Sequence, residues 1–115
     1  MRLLEEHKAT SEKERNLLKL CRDAVQRVDA SAQVILYGSR ARGDAAEESD
    51  YDLLVITEGD VNLAREDFIR QQLYPIELDT GAVLTLLLVG RRDWESPEYR
   101  AMPFSENVRR EGISL

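Results

Sequence analysis

Two aspartates separated by one residue, Asp50 and Asp52, open an apolar run. In an extended strand, side chains at i and i+2 share a face, so this spacing sets two carboxylates about 7 Å apart. Alone, they repel each other and lose solvation; a divalent cation between them removes that cost. Mg²⁺ takes one or two protein carboxylates and completes its octahedron with phosphate oxygens and water. Mn²⁺ accepts the same oxygen donors. Upstream, Gly38-Ser39 closes another apolar run. A strand ending in Gly-Ser and entering a helix leaves backbone N–H groups without intrahelical partners, and such groups suit a phosphate. Gly38 permits close approach of the backbone, the Ser39 hydroxyl can bond a phosphate oxygen, and Arg40 or Arg42 can supply positive charge. Phosphate donors and paired acids on adjacent strand ends are the minimum for in-line phosphoryl or nucleotidyl transfer. Either half alone is commonplace, since surface acids and Gly-Ser turns occur everywhere. Both together, in this order and between two apolar strands, carry the argument.

The elements that must position these residues follow from periodicity. Leu17, Leu18, Cys21, Ala24, Val25 and Val28 fall on one helical face, and Ser11 with Glu14 has the form of a capping box. A helix reaching about Ala30 is expected, with residues 1–10 a loose lead-in. Gln33–Tyr37 (QVILY) reads as a buried strand, residues 39–46 as a short helix or turn, and Asp50–Thr57 (DYDLLVIT) as a second strand. Asp60 is a candidate N-cap for an amphipathic helix over Val61–Leu73, with Val61, Leu63, Ala64, Phe68, Ile69 and Leu73 facing inward and Pro75 ending it. Ile76–Val89 is the most strand-like stretch, with Gly81 a bend inside it. Trp94–Ala101 reads as irregular, and Phe104–Arg110 as a last helix stopped by Gly112. The order implies one α/β (α+β) domain over residues 1–115, a small mixed β-sheet flanked by helices.

Bulk composition agrees. The 115 residues are 43% hydrophobic and 33% charged, enough apolar surface for one core and too few residues for two. A net charge of −6 disfavours nucleic acid as a broad surface partner, because counterion displacement needs a Lys/Arg face. It leaves a nucleotide site open, since bound metal neutralises local acids. A single cysteine excludes an internal disulfide and fits a reducing compartment. The N-terminus has no apolar h-region, and no run is long enough to span a bilayer, so a cytoplasmic location is expected and no membrane partner.

The residues from Tyr37 to Val55, of the form G-S-x-x-x-G-x-x-x-x-x-S-D-x-D-L-x-V, resemble the signature of the DNA polymerase beta-like nucleotidyltransferase superfamily. The likeness is to its minimal nucleotidyltransferase members, single domains of about this length, and extends more loosely to the segment Pro103–Leu115. The resemblance implies binding of ATP or another nucleoside triphosphate with Mg²⁺ and transfer of a nucleoside monophosphate, AMP by analogy, to a hydroxyl of a partner protein or RNA. Carried over by position, Gly38 and Ser39 would hold the triphosphate, Asp50 and Asp52 the metal, and Gly43 the tight turn after the short helix. It also implies a HEPN-type helical partner protein for which this chain is the antitoxin. A homodimer is compatible with the same reading.

Members of that family usually carry a third carboxylate on a later strand, serving as general base. Aligning LTLLLV with that strand puts Thr85 at the position, and Thr neither takes a proton at neutral pH nor ligates Mg²⁺ well. Asp79 or Glu77 are the alternative third acids, on a strand that also holds Thr85. Asp79 stands six residues from Thr85, about 20 Å along an extended strand. A second reading follows from Thr85: a catalytically degenerate module of the same fold, acting by complex formation only.

Other residues have plainer readings. His7 is expected on the surface, Cys21 and Tyr51 in the core, and Trp94 and Phe104 in packing or at a partner surface. Arg91-Arg92 and Arg109-Arg110 are expected to be solvated.

Overall fold

A computed structural model describes residues 1–7, 11–46 and 48–115 of the chain. Its elements run β1 (Arg2–Leu3), a 3₁₀ turn (Leu4–Glu6), α1 (Glu12–Val28), β2 (Gln33–Tyr37), α2 (Ser39–Arg42), β3 (Tyr51–Thr57), α3 (Leu63–Thr80), β4 (Leu84–Gly90), α4 (Arg91–Trp94), α5 (Pro97–Arg100), α6 (Pro103–Glu111) and β5 (Ile113–Ser114). The five strands form one mixed sheet in the order β1-β5-β2-β3-β4. β2 pairs antiparallel with β3 and β5, while β4 runs parallel to β3 and β1 parallel to β5.

The sheet divides two apolar clusters. Val34, Leu36, Leu53, Val55, Leu84 and Leu88 face α1 and α3, and pack with Leu18, Cys21, Val25, Ile69 and Leu73. Ile35, Leu54, Ile56 and Val89 face the other way, onto Trp94 and Val108. β3 is therefore covered on both faces and paired on both edges, which is why DYDLLVIT loses its alternation after its second acid and becomes continuously apolar. The expected mixed α/β sheet flanked by helices is present.

Ser11 caps α1 as expected, its hydroxyl accepting from the Glu14 N–H at 3.2 Å. The lead-in departs from expectation where it is described (residues 8–10 lie outside the described residues). Leu4 is buried in the main core. His7 is buried, not on the surface, and Arg15 donates to the carbonyls of Leu4 and His7 at 3.0 and 3.2 Å. Burial, and then the charge of Arg2, hold the His7 imidazole below its usual value.

The largest correction concerns Ile76–Thr80. These residues continue α3 instead of opening a strand, and Pro75 lies inside the helix, not at its end. Ile69, Leu73 and Ile76 are the buried positions, spaced i, i+4, i+7; burying Ile76 keeps the helix going past a residue that removes one backbone donor. The alternation of Ile76, Glu77, Leu78 and Asp79 fits a strand equally well, but Leu78 is left exposed. Gly81 is the helix stop, at φ +75° with its N–H on the Glu77 carbonyl at 2.9 Å, not a bend within a strand. The N-cap is Asn62, not Asp60, and the buried stripe runs through Ile69, Leu73 and Ile76, which leaves Val61, Leu63 and Phe68 exposed. Trp94–Ala101 is largely helical, as parts of α4 and α5. The two-residue strands β1 and β5 carry too little pattern to be seen in sequence.

Candidate active site

β2 and β3 lie side by side and antiparallel, with Tyr37 opposite Asp52. The end of β2 therefore meets the start of β3, and the Gly38-Ser39 turn sits against the Asp52 carboxylate. The fit is tight. A Cβ on Gly38 would lie 2.3 Å from Asp52 Oδ2. Gly38 itself has φ +76° and ψ −158°, a backbone region essentially confined to glycine. Only glycine satisfies both demands, and it leaves Oδ2 of Asp52 reachable from the turn. Ser39 opens α2, a single turn closed by Gly43 in the left-handed conformation, φ +82°. One turn contributes backbone N–H groups to this corner, not a helix dipole.

On its other side β3 pairs with β4 in parallel, with Asp52 opposite Thr85. The Thr85 hydroxyl donates to Asp52 Oδ1 at 2.7 Å. Thr85 thus stands on the neighbouring strand beside the acid, where the alignment of LTLLLV put it. The Asp52 carboxylate is held from both flanks: Oδ1 by the Thr85 hydroxyl, Oδ2 under the Gly38 backbone. Asp52 is half-buried, on the sheet face of Leu54 and Ile56, while Asp50 is exposed, one residue before β3 begins. Burial, and then the Asp52 carboxylate, push the nearby Tyr37 phenol above its usual value.

Glu77 and Asp79 do not join this corner. Both lie on α3, where Asp79 is exposed and Glu77 Oε2 accepts from the Leu84 N–H at 3.0 Å, capping the start of β4. They are not third acids on a strand shared with Thr85, because that strand starts only at Leu84. Among the described residues no three His, Cys, Asp or Glu side chains gather to hold a metal ion.

The two arginines of the motif separate. Arg42 is exposed and pairs with Asp44 at 3.1 Å and Glu111 at 3.6 Å. Arg40 turns to the α1 side of the sheet instead of to the phosphate corner. Its Nη1 meets Glu14 Oε1 at 2.8 Å, its Nε and Nη2 donate to the Ser49 carbonyl at 3.2 and 3.0 Å, and its guanidinium lies 4.3 Å over the Tyr51 ring. Tyr51 donates its hydroxyl to the same Glu14 oxygen at 2.9 Å. Burial, and then the Glu14 hydrogen bond, push the Tyr51 phenol up to about 12. Glu14 was visible in sequence only as part of a cap; nothing local links it to residues 26 and 37 positions away.

Two hollows flank the turn. One of about 140 Å³ is bounded by Tyr37, Gly38, Arg42, Phe104, Asn107 and Glu111, among others. A larger one, about 900 Å³, lies on the α1 side beside Arg40, Ser49 and Tyr51. Neither is lined by Asp52, so the chemistry of the corner, not the larger of these hollows, marks the site. Trp94 and Phe104 are used in packing: Phe104 meets Tyr37 edge-on at 5.3 Å, and Arg109 is not solvated but stacks on Trp94 at 4.4 Å.

A mixed sheet between helices, with a Gly-Ser turn interlocked with the second acid of a D-x-D pair on the adjacent strand, defines a nucleotidyltransferase-type domain. The family model described as a nucleotidyltransferase domain matches residues 14–102, most of the chain, and the protein belongs to that family. No curated protein matches the chain significantly. No helix among the described residues is long and apolar enough to cross a membrane.

Proposed function

We propose that the protein binds a nucleoside triphosphate, ATP by the resemblance, together with Mg²⁺ (or Mn²⁺), and transfers its nucleoside monophosphate to a hydroxyl of a partner protein or RNA. The observation that carries this is the interlock of Gly38 with Asp52. A glycine in a conformation open to glycine alone, with no room for a Cβ against the carboxylate oxygen, lets the backbone of the turn lie directly on the acid, which suits joint binding of phosphate and metal. The donor set suits Mg²⁺: carboxylates of Asp50 and Asp52, with phosphate oxygens and water for the remaining positions. The ion would neutralise phosphate charge and polarise the α-phosphorus. The Ser39 hydroxyl and backbone N–H hold phosphate oxygens, while the Ala41 and Arg42 N–H groups turn back onto the Gly38 carbonyl. The acceptor oxygen attacks the α-phosphorus, the bond to the β-phosphate bridging oxygen breaks, and pyrophosphate leaves. Thr85 cannot take the acceptor's proton, so that proton passes to a phosphate oxygen or to solvent. A positioned base ordinarily contributes about 10²- to 10⁴-fold, and turnover here is correspondingly slow.

The hydrogen bond from the Thr85 hydroxyl to Asp52 supports a second reading. With Thr85 in place of a base, the domain acts by complex formation, as the antitoxin half of a pair with a HEPN-type helical protein. Labelled ATP, Mg²⁺ and a candidate helical partner separate the two. The transfer reading expects label on the partner with wild type and none with Asp50→Asn/Asp52→Asn. It expects Thr85→Asp, which restores a carboxylate beside Asp52, to raise the rate by about 10²-fold or more. Neutralisation of the partner by the Asp50→Asn/Asp52→Asn variant, with no label transfer by wild type or Thr85→Asp, sinks the transfer reading in favour of the binding module.

A further inference from the structure

We infer that Arg40, backed by Glu14, is the positioning residue of Asp50 and not a phosphate ligand; this rests on the reading of Asp50 and Asp52 as a metal-binding pair. Asp50 precedes β3, and the ladder to β4 begins one residue later, where the Tyr51 N–H donates to the Val83 carbonyl at 2.9 Å. What fixes Asp50 is therefore its two neighbours, and one guanidinium grips both. Arg40 takes the Ser49 carbonyl with Nε and Nη2 at 3.2 and 3.0 Å, and lies 4.3 Å over the Tyr51 ring. Glu14 closes the assembly. Its Oε1 accepts from Arg40 Nη1 at 2.8 Å and from the Tyr51 hydroxyl at 2.9 Å. Glu14 belongs to the first turn of α1, which is seated on the sheet through Leu17, Leu18 and Cys21. The Asp50 backbone is thus tied to the core through a planar fork, a geometry that a lysine ammonium cannot reproduce.

Two features place Arg40 outside the phosphate corner. Tyr51 and Asp52 are consecutive in a strand, so they point to opposite faces, and Arg40 lies with Tyr51. Its charge also meets a carboxylate already, with both side chains largely shielded from solvent. A phosphate would have to displace Glu14 to use it.

The test compares ATP binding in Mn²⁺ with ATP binding in EDTA, for wild type, Glu14→Ala, Arg40→Lys, Asp50→Asn and the two double variants with Asp50→Asn. Thermal melts check folding. Glu14→Ala and Arg40→Lys are each expected to weaken Mn²⁺-dependent binding by about 10- to 100-fold, the range for groups that orient metal ligands. Binding in EDTA stays at the wild-type level. In the Asp50→Asn background neither substitution has a further effect, because the residue they position no longer ligates. If Glu14→Ala tightens binding in EDTA, the released Arg40 is a phosphate ligand and the proposal is wrong. Losses that add to that of Asp50→Asn make the cluster a general stabiliser and overturn the proposal while leaving the metal pair intact. An Asp50→Asn variant that binds like wild type in Mn²⁺ removes the metal pair itself. If Glu14→Ala does not fold, the Arg40→Lys cycle decides by the same criteria.

Discussion

Gly38 concentrates the site's requirements in one residue. Any side chain there must adopt φ +76°, ψ −158° and place its Cβ 2.3 Å from Asp52 Oδ2. The first demand costs about 1–3 kcal/mol; the second forces Asp52 off the position that Thr85 also holds. Gly38→Ala is therefore expected to lower stability by about 1–3 kcal/mol and to abolish Mn²⁺-dependent ATP binding. Denaturant melts and a binding titration read the two effects separately. Retained binding in a destabilised variant sinks the claim that Gly38 is there for Asp52. Asp52 divides its two oxygens between neighbours, and Thr85→Asp tests what the hydroxyl withholds.

At the scale of elements, α3 carries its own internal conflict. Pro75 sits five residues before the helix end, exposed, with no N–H to give the preceding turn. Proline in a helix interior costs about 3 kcal/mol relative to alanine. Burial of Ile69, Leu73 and Ile76 offsets that cost. Pro75→Ala should then stabilise the domain by about 1–3 kcal/mol, with ATP binding unchanged, since α3 packs on the sheet face opposite Asp52. A fall in melting temperature would show that the proline shapes a bend that the packing needs.

For the molecule as a whole, stability should fail at both ends of the pH scale for identifiable reasons. Burial, and then the charge of Glu77, push the Cys21 thiol from 9.0 up to about 12; Tyr51 moves from 10.0 to about 12. Both folded values exceed the unfolded ones, so this stability is intact below about pH 9 and is lost as pH rises towards 12. The net charge of −6 adds repulsion in the same direction. Asp29 works oppositely. Burial alone would raise it, but hydrogen bonds from Ser31, Thr57 and Arg65 hold it below its ordinary 3.8. That stability is present above about pH 3.8 and disappears as pH falls through the folded value. Melts against pH should show both limbs. Cys21→Ala should shallow the alkaline limb and Asp29→Asn the acid one. Limbs unchanged in both variants would place the pH dependence in other groups.

Short-range order was legible in the residues themselves. The Ser11 cap, the QVILY strand, the Gly43 turn and the second strand, which starts at Tyr51 and not Asp50, arise from patterns within a few positions. Tertiary structure decided what local pattern left degenerate. IELDT suits a helix and a strand equally until Ile76 finds a core. A basic side chain beside a phosphate turn reads as a ligand until Glu14 and Tyr51, far away in sequence, claim Arg40. His7 reads as surface until β1 pairs with β5 and Arg15 draws the following turn against α1. The interlock of Gly38, Asp52 and Thr85 is likewise a product of strand register, which no single segment encodes, because hydrogen bonding between strands fixes which side chains meet.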